Sequence, residues 1–97
     1  MRFEEEYPKL FQFLACWFPE TDFEGKTDEQ ATSDYIRISP IKRLKTVAEE
    51  ISAVKIRLVF VWKDIADATN RYFLEPNEVL VWLEERENQI LREINSE

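Results

Sequence analysis

One glycine in 97 residues, Gly25, is the tightest constraint on this chain. Sandwiches and barrels reverse direction many times, and their tight turns draw on residues with positive φ, for which glycine is the usual choice. Apolar residues at three- and four-residue spacing supply the alternative. The expected fold is all-α: one domain over residues 1–97, a single compact bundle of about five short helices. A chain that is 44% hydrophobic and 13% aromatic has the apolar content to build one modest core.

The first predicted helix runs from about Pro8 to Phe18. Proline suits its first position, where the missing N–H has no helical partner to lose. Leu10, Leu14, Trp17 and Phe18 share one face. Thr27-Asp28-Glu29-Gln30 reads as a capping box that opens a second helix, with Ala31, Tyr35 and Ile38 as its apolar stripe. Ser39-Pro40 is expected to end that helix and cap the third, which places Ile41, Leu44, Val47, Ala48, Ile51, Val54 and Leu58 at helical spacing. Ile56–Trp62 has the β-branched and aromatic content of a strand, but a lone strand has no partner here. It is therefore expected as helix or a tight link. A fourth helix is predicted over roughly Trp62–Tyr72. A last one spans about Pro76 to Asn95, with Val79, Trp82, Leu83, Arg86, Ile90 and Ile94 facing inward.

Charge is unevenly spread around a net −7. Residues 40–57 carry Lys42, Arg43, Lys45, Lys55 and Arg57 against two acids, whereas the last helix and its flanks are strongly acidic. Lys63, Asp67 and Arg71 are spaced for local pairing on the fourth helix. Glu84, Glu85 and Glu87 have no base three or four residues away, so they must face water, a partner or the basic third helix. The overall sign disfavours phosphate backbones and anionic lipid, and favours encounter with cationic partners. Neither nucleic acid nor membrane is expected as a partner. The basic cluster Lys42–Lys45 could touch phosphates, but most aromatics fall on core stripes rather than on a stacking surface. No apolar run approaches the roughly 20 residues of a membrane span.

The residue types needed for most catalysis are missing. There is no histidine, which removes His-based triads, His acid–base chemistry and His metal sites. A single cysteine, Cys16, rules out an internal disulfide, fits a cytoplasmic setting and is expected to be buried and inert. Glu20 with Asp22 is the carboxylate pair left for glycoside-type chemistry, but so small a chain offers little to enclose it. Asp22, Glu24 and Asp28 lack the spacing of a calcium loop. No enzyme activity, cofactor or metal is expected.

Tyr7-Pro8, Leu10, Leu14 and Trp17-Phe18, followed by Asp22 and a capped acidic helix over Asp28–Ile38, resemble the start of a small all-helical group of bacterial contact-dependent growth inhibition immunity proteins. Tyr72-Phe73 and Trp82-Leu83 resemble that group's tyrosine-containing turn and the Trp-Leu pair of its terminal helix. The resemblance implies a cytoplasmic immunity protein that binds the C-terminal domain of one cognate toxin, often a nuclease, and blocks it stoichiometrically. The expected complex is 1:1 with a monomer. An acidic inhibitor suits a nuclease, whose cleft must be positive to attract phosphate.

The loop and second helix, with Asp22, Phe23, Glu24, Asp28, Glu29 and Asp34, are the expected toxin-binding surface. Phe23 sits among carboxylates outside any helical stripe, where it is either a contact residue or a plug over the first helix. Asp28 and Glu29 also favour a helix N-terminus, and Asp34 can pair with Arg37. Glu84, Glu85 and Glu87 form a secondary candidate surface. The alternative is an acidic helical adaptor or self-associating interaction domain unrelated to any toxin.

Overall fold

The computed structural model describes residues 2–19 and 21–96, apart from the side chains of Asp22 and Phe23. Among the described residues there are seven helices and no strand: α1 (Phe3–Glu6), α2 (Pro8–Trp17), α3 (Thr21–Glu24), α4 (Asp28–Ile38), α5 (Ile41–Ile56), α6 (Leu58–Thr69) and α7 (Pro76–Asn95). The five expected helices are α2, α4, α5, α6 and α7. The two additional ones, α1 and α3, are single turns of four residues, too short to display a period.

α2 begins at Pro8 and buries Leu10, Phe13 and Leu14, with Phe18 completing the stripe just past its end. Tyr7 supplies no side-chain cap. A residue forty positions away does this instead: Glu50 on α5 accepts the Leu10 N–H at 2.9 Å. This satisfies one of the donors that the first helical turn leaves free, and it places a negative charge at the positive end of the helix dipole.

The capping box of α4 is complete. Thr27 Oγ1 accepts from the Gln30 N–H at 3.1 Å, and Gln30 Oε1 accepts from the Thr27 N–H at 2.8 Å. Ala31 and Tyr35 are buried as expected, but Ile38 is 65% exposed. The third buried position is Thr32, whose hydroxyl donates to the Asp28 carbonyl at 2.8 Å and so can lie inside. Ser39 does not cap α5, because its hydroxyl turns back to the Tyr35 carbonyl and Pro40 takes the cap position without a side-chain bond.

The ambiguous stretch Ile56–Trp62 is helical on both sides of one residue. Arg57 alone breaks the path between α5 and α6, and Val54, Leu58, Val61 and Ile65 carry the buried stripe across the corner. The third and fourth helices therefore meet near Arg57, earlier than the expected start at Trp62. Arg57 reaches Glu6 at the end of α1 and the Tyr7 hydroxyl, tying the corner to the start of the chain. α6 ends at Asn70 in the left-handed region, φ 55°, where a short amide side chain is tolerated in place of glycine.

α2 and α7 each pack against α4, α5 and α6. Aromatic rings run through this arrangement: Trp17 meets Tyr35, Tyr35 meets Phe13, Phe13 meets Phe18, and Phe18 meets Trp82 at 4.9 Å, mostly in tilted or edge-on contacts. Such pairs add to area burial because each ring's positive edge meets its neighbour's negative face. Phe18→Ala should therefore cost about 3–5 kcal/mol in urea unfolding, whereas Ile38→Ala, on an exposed position, should leave the midpoint nearly unchanged.

Candidate functional site

The N-terminus of α4 is anchored by its own acid. Asp28, the first residue of α4, receives the Arg71 guanidinium on Oδ1 and the Trp82 indole N–H on Oδ2 at 2.9 Å. Arg86 Nη1 stands 3.7 Å from the same Oδ2. Arg71 also donates to the Thr21 hydroxyl, which donates in turn to the Phe18 carbonyl. Segments separated by more than forty residues thus converge on one carboxylate. Asp28 is held inside the protein's own network rather than presented as a free surface charge. Arg71, expected to pair along α6 with Asp67, is committed to Asp28 instead. Lys63 lies over the Trp62 ring.

From this anchor α4 and α7 run side by side. Gln89 stitches them together, donating from Nε2 to the Glu29 carbonyl at 2.9 Å and to the Ser33 hydroxyl at 3.0 Å. Above the seam lies an open groove of about 750 Å³, walled by α4 through Glu29, Ser33, Asp34 and Arg37 and by α7 through Glu85, Arg86, Gln89 and Arg92, with Lys26 at its edge. A smaller hollow of about 320 Å³ adjoins it between Thr27, Glu29, Trp82 and Glu85, and Arg86 lines both.

The expected contact residues divide into distinct groups. Glu29 and Glu85 are exposed on opposite walls, and no ion pair engages either among the described residues. Asp34 accepts from Lys26 at 3.0 Å and Arg37 at 2.9 Å. Chiefly the Lys26 hydrogen bond holds its carboxyl below the usual range. Glu24 is exposed and pairs with Lys26 at 3.3 Å. Asp22 and Phe23 belong to α3, but their side chains lie outside the described residues, as does all of Glu20. Neither the contact nor the plug expected of Phe23 is therefore described.

The secondary surface does not hold together as one face. Glu87 is only 7% exposed and turns to the basic helix, accepting from Lys55 at 2.7 Å and from the Ser52 hydroxyl at 3.1 Å. Glu84 lies 3.8 Å from the same ammonium. Glu85, one position on, faces the other way and joins Glu29 across the groove. Three acids within four positions are thus split between an internal ion pair and an open wall, because successive helix positions point about 100° apart.

Arg86 is the functional candidate that charge counting passes over. It is 3% exposed, stacks 5.3 Å from the Trp82 ring centre, and its buried Nε has no hydrogen-bond partner. Burial pulls its pKa down, against the opposing pull of Asp28, Glu85 and Glu29. The available sequence signal was an arginine on the otherwise apolar inward stripe of α7, which demands a buried carboxylate.

Cys16 is exposed rather than buried, since the stripe of α2 passes through Phe13, Leu14 and Phe18 and leaves position 16 outside. Among the described residues, no group of three or more Cys, Asp or Glu side chains could hold a metal ion, and no helix is long and apolar enough to cross a membrane. Compared with protein-family models, curated proteins and solved structures, the chain gives no match to any of the three.

Two measurements check this electrostatic arrangement. Asp28→Ala should cost about 3–5 kcal/mol in urea unfolding, because it strands Arg86 as a buried cation. Asp34→Ala, at the rim, should shift the midpoint little. The Glu87 hydrogen bond raises the Lys55 pKa above its ordinary 10.5. Its stabilisation is complete below the unfolded value and is lost as pH rises through the folded one. Wild type should therefore lose more stability than Lys55→Met when the pH is raised above about 10.5.

Proposed function

We propose that this protein is an immunity protein that acts in the cytoplasm, binding the C-terminal domain of one cognate toxin of a contact-dependent growth inhibition system and blocking it in a 1:1 complex. The observation that carries this reading is the groove between α4 and α7. It offers the Glu29 and Glu85 carboxylates on two helices that Gln89 and Asp28 lock together, with neither carboxylate in an ion pair among the described residues. Rigidly held carboxylates outside any ion pair suit recognition of a basic group. It steers encounter, and little conformational entropy is lost when the partner docks. A nuclease is the preferred class of toxin, because its positive cleft is the region that a protein of net charge −7 would be drawn to cover. The resemblance of Tyr7–Ile38 to the immunity group supports the same reading. The absence of histidine agrees with a role in binding rather than in catalysis.

A second reading has one observation in its favour. Ile56, Val59 and Phe60 are 87%, 66% and 78% exposed at the α5–α6 corner, a cluster of apolar residues that a self-associating adaptor would use. Sedimentation of the isolated protein separates the two. The immunity reading expects a monomer, and the adaptor reading a dimer that Phe60→Ser dissolves.

The decisive experiment is capture of the toxin domain encoded beside this gene, followed by growth rescue on co-expression. Joint reversal of Glu29, Asp34 and Glu85 to lysine should weaken capture by about a hundredfold or more, and raising salt should slow association about tenfold. Reversal of Glu84 alone should do much less. A neighbouring toxin that neither binds nor loses toxicity would remove the proposal.

A further inference from the structure

Local physical chemistry works against two carboxylates of α6. Asp64 and Asp67 are exposed three residues apart, where side chains on a helix are neighbours and like charges repel. Asp67 lies in the last turn of α6, at the negative end of the helix dipole. No base stands three or four positions from Asp64. Asp67 has two, but Arg71 is committed to Asp28 and Lys63 lies over the Trp62 ring. Neither acid forms an ion pair among the described residues. Side chains that lower stability without a return to the fold are found where function retains them.

Both acids line an open cleft of about 570 Å³ between α1, α2 and α6. Its apolar lining is Phe3, Phe11, Ala15 and Ala68. Phe11 and Ala68 are half-buried, and the Phe11 ring meets Phe3 edge-on at 6.3 Å. Arg2 is the only cation lining the cleft among the described residues, and it is paired with Glu4 at 3.1 Å. Two negative charges without a counter-ion thus stand beside an aromatic and aliphatic surface. The cleft shares no lining residue with the α4–α7 groove.

These features restrict the occupant. A metal ion demands more oxygen ligands than two carboxylates supply, and no group of three or more acids or thiols gathers among the described residues. An ammonium is compact and strongly hydrated, so it gains little from apolar contact. A guanidinium is weakly hydrated, lies flat on an aromatic ring and holds its donors in a fork that matches carboxylates. Its aliphatic stem covers apolar surface while the charge stays at the rim. An open cleft suits a side chain presented by another protein better than a small molecule, which binds where it is enclosed.

We propose that the cleft between α1, α2 and α6 docks one exposed arginine of a partner protein, whose guanidinium lies between Asp64 and Asp67 and whose stem covers Phe11 and Ala68. The seated cation removes the repulsion between the two acids and supplies the base that Asp67 loses when Arg71 turns to Asp28. The assignment holds whether or not the partner is a toxin, since its residues lie outside the α4–α7 groove.

The probe is Nα-acetyl-arginine N-methylamide, titrated into the ¹⁵N-labelled full chain and followed by NMR. The expected result is a saturable shift of the Phe11, Ala15, Asp64, Asp67 and Ala68 amides, with an affinity on the order of millimolar. The citrulline analogue has the same shape without the charge, and methylguanidinium has the charge without the stem. Each should bind about fivefold more weakly, and the lysine analogue should also bind more weakly. The D64N/D67N variant should bind the arginine probe about fivefold more weakly, and its urea midpoint should be no lower than that of the wild type. Shifts that do not saturate, or that settle on Glu29 and Glu85 instead, would overturn the proposal. Equal binding of the citrulline analogue, the lysine analogue or methylguanidinium would do the same, as would equal binding by D64N/D67N. A lower urea midpoint in D64N/D67N would make the two carboxylates partners of the fold and remove the ground for the proposal.

Discussion

The carboxylate of Asp28 sets the relation between the two halves of this protein. It opens α4, and it collects the Arg71 guanidinium from beyond α6 and the Trp82 indole from α7, with Arg86 close behind. A charge can be withdrawn from water only if its partners are supplied in good geometry. Once Asp28 is partly buried, α4 cannot slide or roll against α7 without breaking the Trp82–Asp28 hydrogen bond and drawing Arg86 away from the carboxylate. The groove exists because those two helices are held at this separation, and Gln89 repeats the restraint one turn farther along.

Around that anchor the acids have different employments. Glu50 caps α2, Glu6 holds the α5–α6 corner through Arg57, Glu87 pairs with Lys55, and Asp34 sits between Lys26 and Arg37. A net charge of −7 therefore overstates how uniformly negative the surface is. Glu29 and Glu85 form no ion pair among the described residues and share one groove, whose lining also holds Arg37, Arg86 and Arg92. Carboxylates held over a rigid base beside fixed cations make a patterned surface, and pattern is what a binding protein needs to tell one partner from another.

The apolar interior makes this rigidity possible. The ring contacts from Trp17 through Tyr35, Phe13 and Phe18 to Trp82 join α2, α4 and α7, so the helices that wall the groove are packed against the helix at the centre of the core. Trp82 belongs to both systems: its ring meets Phe18 and its N–H meets Asp28. Core and polar network are thus joined through one side chain, and disturbance of either reaches the groove.

Local information was enough for the helices. The Thr27–Gln30 capping box, the proline starts at Pro8 and Pro76, and the inward stripe of Val79, Trp82, Leu83, Arg86 and Ile90 depend on neighbours within a turn or two, and all are present in the fold. Single-turn helices such as α1 and α3 were not legible, since four residues carry no period. Of the candidate site, the sequence determined that acids would be plentiful on α4 and α7, and that Arg86 would point inward. Only the tertiary structure decided that Asp28 turns into the fold, that Glu87 turns to Lys55, that Arg71 leaves Asp67 for Asp28, and that Glu29 and Glu85 share a groove. The physical reason is range. Helix formation is decided by contacts three and four residues apart, whereas an ion pair forms with whichever opposite charge the packing of the helices brings close. For Asp28 those charges lie 43 and 58 positions along the chain.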